Sequence, residues 1–155
     1  MATATAMMFK SPSFVNDGEI DVRYTCDGSN QSPELQWSHA PDGARSFALT
    51  VVDPDAPSGD FTHWILFDVS ASVHALAEGT TGIGVSGRND FQRIGYGGPC
   101  PPKKRGPHRY FFRLFALDVE SLGLAQGATR QEVKGAMEDH ILEQAEFMGR
   151  YTRAI

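Results

Sequence analysis

Asp53, Asp55, His63, His108, Arg109 and Tyr110 bring carboxylates, imidazoles, a guanidinium and a phenol into two short stretches, DPDAPSGDFTHW at 53–64 and GYGGPCPPKKRGPHRY at 95–110. A carboxylate that accepts a hydrogen bond from one imidazole nitrogen fixes the tautomer and leaves the second nitrogen to face a ligand. Asp53 could do this for His63 or for His108. Tyr110 and backbone N–H groups would complete a cradle for an anion, and Gly97-Gly98-Pro99 offers the close backbone approach such a cradle needs. Pro54 and Pro57 remove donors and restrict the residues before them, so DPDAP should be a rigid corner after a strand ending at Val52. Taken singly, each Asp reads as an ordinary turn residue and each His as a core residue satisfied by its neighbours.

Other chemistries fit less well. A nucleophilic serine usually occupies a recognisable elbow such as GxSxG, whereas Ser58 and Ser86 lie in loops flanked by GD and GRN, so a hydrolase is not expected. His63, His108 and Asp53 have the ligand types of a two-histidine, one-carboxylate metal centre but lack a local HxD or HxxxH pairing. No metal or cofactor is expected. His39, His74 and His140 belong to no motif and are expected at the surface.

The elements that must position these groups are mostly strands. Segments 20–25, 46–52, 61–69 and 109–117 are rich in β-branched and aromatic residues and are bounded by turn signals. In the last, Tyr110, Phe112 and Leu114 alternate with Phe111 and Phe115, which suits a strand covered on both faces. Arg113, among those aromatics, calls for a structural ion pair. Thr129 and Glu132 have the spacing of a capping box, and Val133, Ala136, Met137, Ile141, Ala145 and Met148 recur with a helical period. These predict a helix over 130–148 with Gly149 as its stop, packed beside a two-layer β architecture.

A chain of 155 residues with 41% hydrophobic content can build a normal core, and no internal repeat or linker divides it, so one domain over 1–155 is expected. The net charge of −5 argues against a general nucleic-acid binder. Lys103, Lys104 and Arg105 form the one basic cluster, read as a solvated tip or as a rim that steers anions to the pocket. No window approaches the ~20 apolar residues that cross a bilayer, and MATATAMMF has neither a basic start nor a long apolar core. A cytoplasmic protein is therefore expected. In a reducing compartment Cys26 and Cys100 are read as free thiols, the alternative being a redox-dependent bridge between them.

DPDAP followed by an apolar-flanked His, with a GxxGPxPP loop closed by HRY, resembles the phosphatidylethanolamine-binding protein family, in its prokaryotic Raf kinase inhibitor-like branch. YTCDGSNQSPELQW at 24–37, GRNDFQRIGYGGPCPP at 87–102, HRYFFRLFALD at 108–118 and ILEQAEFMGRYTR at 141–153 extend the resemblance through nearly the whole chain. It implies a mainly β fold, a large central antiparallel sheet packed on a smaller one with a C-terminal helix. It also implies that Asp53, Asp55, His63, Pro102, His108 and Tyr110 surround a small anion such as phosphate or a phosphoethanolamine-type headgroup, and that the Ala56–Pro57 bond is cis. Trp64 and Arg109 are assigned to walls and structural pairing. A protein partner, a kinase or a serine protease, is implied by the family's inhibitory members, and pairing of two copies stays open. Set beside animal members, the KKR insertion and the early end of the chain after its helix imply an open, small site.

Overall fold

The computed structural model describes residues 6–103 and 106–153; Lys104 and Arg105 of the basic cluster lie outside the described residues. In chain order the elements are β1 (Met8–Lys10), β2 (Gly18–Glu19), β3 (Leu35–Ser38), β4 (Ser46–Asp53), β5 (Phe61–Ser70), β6 (Ala75–Leu76), β7 (Val85–Ser86), β8 (His108–Leu117), α1 (Arg130–Met137) and β9 (Ile141–Tyr151). Six strands form one sheet in the order β2-β9-β8-β4-β5-β7, and β1-β3-β6 form a smaller one. The pairings are antiparallel except for β2 beside β9. The mainly β, two-sheet architecture is as the sequence implies.

Alternation along the central strands builds two cores. Phe47, Leu49 and Val51 of β4, Trp64 and Leu66 of β5, and Tyr110, Phe112 and Leu114 of β8 pack with Phe9, Leu35, Trp37 and Leu76 from the smaller sheet. The other face contributes Ala48, Ile65, Phe67 and Leu117, which meet Val133 and Met137 of α1. Both faces are therefore covered, and every residue of β4 is buried. Arg113 stands opposite Glu146 in the β8–β9 register and pairs with it at 3.2 Å, its guanidinium 5.1 Å from the Phe111 ring centroid.

Three local expectations are corrected. The helix runs only over Arg130–Met137, because its capping box is present but residues from Ile141 onward pair with β8 along its whole length. Burial in this segment has a period of two, with Phe147, Gly149 and Tyr151 inward, so tertiary pairing overrides the helical stripe to which Ala145 and Met148 belong. Residues 20–25 are not a strand: Val22–Tyr24 form a 3₁₀ turn whose cap, Asp21, accepts from the Arg23 N–H at 2.9 Å. Among the described residues no peptide bond is cis, so Ala56–Pro57 is trans, the isomer favoured by about 0.5–1 kcal/mol at any X–Pro bond. The corner turns instead through a Gly59 N–H to Ala56 carbonyl bond of 3.0 Å, with Gly59 at φ 102°.

Cys26 and Cys100 form a disulfide, with their Cα atoms 5.4 Å apart, which corrects the free-thiol expectation. The segments that carry them already lie side by side: the Cys26 N–H donates to the Pro99 carbonyl at 3.1 Å, and the Tyr96 hydroxyl donates to the Tyr24 carbonyl at 2.6 Å. No helix among the described residues is long and apolar enough to cross a membrane.

Candidate functional site

Three strand ends meet at one place. Asp53 closes β4, Phe61 and His63 open β5, and His108 and Tyr110 open β8, with Asp53 opposite Phe61 and Val52 opposite Phe111 in the register. Beside them Val51 pairs with Trp64 and Val52 with Thr62, which leaves His63 as an extra residue in β5. Such a bulge bends the strand and re-aims a side chain. His63 accordingly sits edge-on to Tyr110, their ring centroids 5.1 Å apart.

Together these residues floor a cavity of about 260 Å³. Asp53, His63, His108 and Tyr110 provide its inner polar atoms, exposed Ser58 adds a hydroxyl, and Pro57, Phe61, Phe91, Pro101 and Pro102 provide apolar walls. The four inner residues are buried, from 0% exposed for Tyr110 to 4% for His108, so their unmet hydrogen-bonding capacity is directed inward rather than to bulk water.

The imidazoles are oriented by different partners. His108 Nδ1 lies 2.7 Å from Asp53 Oδ2, and the other oxygen of that carboxylate accepts from the Asp55 N–H at 2.7 Å. His63 Nδ1 lies 2.8 Å from the Gly97 carbonyl oxygen, which can only accept, so this nitrogen carries the proton. In both rings Nε2 is the atom left for the cavity. Burial lowers the His63 pKa below the ordinary histidine range, against smaller raising effects of the Gly97 carbonyl and the Asp53 charge. The Tyr110 hydroxyl is buried without a hydrogen-bond partner, and burial raises its pKa, so it stays protonated. A partnerless buried hydroxyl costs about 1–3 kcal/mol, which a ligand oxygen would recover.

Five of the six residues named from the sequence, Asp53, His63, Pro102, His108 and Tyr110, line this cavity. Asp55 does not. Its oxygens take the Arg109 Nε and Nη2 hydrogens at 2.8 Å each and the Arg109 N–H at 3.0 Å. The Arg109 hydrogen bonds hold the Asp55 carboxyl below its usual range. Trp64 lies against Tyr96 on a separate cavity. His39 and His74 are exposed, and His140 is half-exposed with Nδ1 2.8 Å from Asp118 Oδ1.

The glycine loop serves packing more than ligand contact, a correction to the cradle expected of its N–H groups. The Gly97 N–H donates to the His63 carbonyl at 2.9 Å and the Gly98 N–H to Asn30 Oδ1 at 2.8 Å. A Cβ on Gly98 would collide with the Tyr24 carbonyl oxygen, and one on Gly97 would stand 2.5 Å from the Phe91 ring. Phe91 is a wall residue that sequence reasoning misses, as it misses Phe61 and Pro101. It is placed by buried Asn89, whose Oδ1 accepts from the Phe91 and Arg93 N–H groups at 2.9 and 3.2 Å, and its ring stacks edge-on with Phe61 at 4.8 Å. The Asn-Asp-Phe run of a side-chain-stabilised turn was the available signal.

The model of the family described as phosphatidylethanolamine-binding protein matches residues 10–152. A UPF0098 protein of Aquifex aeolicus is 50% identical over 149 residues, covering 92% of this chain and 86% of the relative. Among solved structures, a phosphatidylethanolamine-binding protein homolog from Chlamydia trachomatis superposes with a TM-score of 0.90 at 40% identity, over 96% of this chain and 98% of its own. YbcL of Escherichia coli, described as a new member of the mammalian family, gives 0.89 at 31% identity over 96% and 99%.

Proposed function

We propose that this chain, which belongs to the phosphatidylethanolamine-binding protein family, is a non-catalytic binding protein whose pocket takes a small anion, a phosphate or a phosphoethanolamine-type headgroup. The whole chain is read as one such domain. The observation that carries the reading is the buried, partnerless Tyr110 hydroxyl in a cavity floored by the Asp53–His108 pair. With His108 protonated, its Nε2–H and the Tyr110 O–H are two convergent donors, and charge-assisted hydrogen bonds of this kind contribute about 1.5–3 kcal/mol each. Asp53, His63, Pro102, His108 and Tyr110 are the proposed contact residues, with Asp55 shaping the corner beneath them.

Isothermal calorimetry with inorganic phosphate and with phosphoethanolamine at about pH 6, where an ordinary imidazole is mostly charged, tests this reading. Binding that weakens in His108→Ala and Tyr110→Phe supports it. Absence of binding to either ligand removes it, and turnover of phosphoethanolamine overturns the non-catalytic half. A partner kinase or protease retained by a variant that binds no anion would move the function to surface loops. The cytoplasm is the proposed compartment, where a Cys26–Cys100 bond would be transient and regulatory rather than permanent. Fractionation to an oxidising compartment would contradict that placement.

A further inference from the structure

The His63 ring is locked by a group that cannot donate. The Gly97 carbonyl takes the Nδ1 hydrogen at 2.8 Å, so a neutral His63 presents a bare lone pair at Nε2 to the cavity it lines. We infer that His63 is a hydrogen-bond acceptor and a specificity-determining residue, selecting an anion that brings its own proton, a phosphate bearing a P–OH group, over an unprotonated anion of the same shape and charge. The inference rests on the anion-pocket reading above.

The surroundings of His63 agree with an acceptor role. The ring is 3% exposed and walled by Phe61 and Phe91 at centroid distances of 4.9 and 5.4 Å, so a donor reaches Nε2 only through the cavity. The charged and titratable groups that face it are Asp53 at the end of β4, His108 and Tyr110 on β8, and Asp90 in the loop after β7. Of these, the two carboxylates favour a proton on His63, but burial outweighs them. No lysine or arginine side chain lines the cavity among the described residues. A fully ionised anion would thus meet the Asp53 charge and a lone pair with few opposing donors. A P–OH oxygen removes one of these conflicts by donating to His63 Nε2, while another of its oxygens accepts from the Tyr110 hydroxyl. A site built to bond a ligand hydrogen rejects an analogue that lacks it, since its buried acceptor is then left unpaired.

Sulfate and monohydrogen phosphate carry the same charge and nearly the same shape and differ by one proton. The test titrates the protein with each by calorimetry at about pH 8, where an ordinary imidazole is neutral, and records the ¹⁵N shifts of the His63 ring in the free protein. Phosphate should bind at least about tenfold tighter than sulfate, with Nδ1 protonated and Nε2 bare. In His63→Gln the phosphate-to-sulfate ratio should collapse toward unity. A phosphomonoester such as phosphoethanolamine keeps its P–OH only below about pH 6. Its affinity should therefore fall between about pH 6 and pH 8 by more than that of free phosphate, which keeps a P–OH throughout, and this difference separates headgroup from free ion. Equal binding of sulfate and phosphate overturns the inference and leaves the anion pocket standing. A proton on Nε2 at that pH overturns it whatever binds, and binding of neither anion at that pH or at about pH 6 ends both readings.

Discussion

Asp55 holds Arg109 at three points, accepting from its Nε and Nη2 at 2.8 Å each and from its backbone N–H at 3.0 Å. The pair ties the corner after β4 to the start of β8, and those two segments carry Asp53 and His108. Both partners are partly exposed, so water screens the charge and the pair acts chiefly by fixing geometry. Arg109→Lys keeps the charge but loses the planar fork. It should lower the Tm by a few degrees and weaken anion binding only modestly, measured by thermal melts and calorimetry side by side. A loss of binding as large as in His108→Ala would place Asp55 and Arg109 at the ligand itself.

Tyr110→Phe separates stability from binding. The hydroxyl is buried and unpaired in the free protein, so its removal should stabilise the fold by about 1 kcal/mol in urea unfolding. The same change deletes a ligand donor, and affinity for phosphate should fall about tenfold. Opposite signs from one substitution are the expected result. A destabilised Phe variant would mean that the hydroxyl has an internal partner and is not held for a ligand.

The strands at β4, β5 and β8 are legible in the sequence because their aromatic and β-branched runs answer to local propensity and to burial on both faces. The start of α1 is legible for the same reason, since Thr129 and Glu132 cap each other within three residues. The segment after Met137 is not, because its strand state comes from pairing with β8, a partner distant in the chain. Within the site, the carboxylate and imidazole types are legible, but their division of labour is not. Asp53 takes His108 and leaves His63 to Gly97 because a bulge at His63 turns that ring, and no residue type encodes the bulge. Phe91 escapes notice since its place depends on a turn at Asn89 and on the absence of a side chain at Gly97.

The Cys26–Cys100 bond closes a long loop, with the two residues 74 apart in sequence. Chain-entropy reasoning assigns a cross-link of this span about 4 kcal/mol, with measured losses of native disulfides at about 2–5 kcal/mol. Cys26→Ser combined with Cys100→Ser should lower the urea midpoint accordingly. Wild-type protein treated with a dithiol reductant should match the double variant. Identical midpoints for untreated wild type and double variant would show that the thiols are free in solution.

His63 should make the fold sensitive to mild acid. Burial is the largest influence on this imidazole and lowers its folded pKa below the unfolded value of about 6.5. Between the two values the unfolded chain binds more protons than the folded one, so stability rises with pH across that interval. Above about 6.5 the ring is neutral in both states and contributes no slope. Stability measured by urea unfolding should therefore decline as pH drops from about 7 toward about 5, and His63→Gln should flatten that decline. Asp55 acts in a separate window: Arg109 depresses its pKa, so its contribution is complete above about 4 and is lost only as pH falls further, through the folded value. A decline between pH 7 and pH 5 that persists unchanged in His63→Gln would mean that another group titrates there and that His63 is not held neutral in the folded protein.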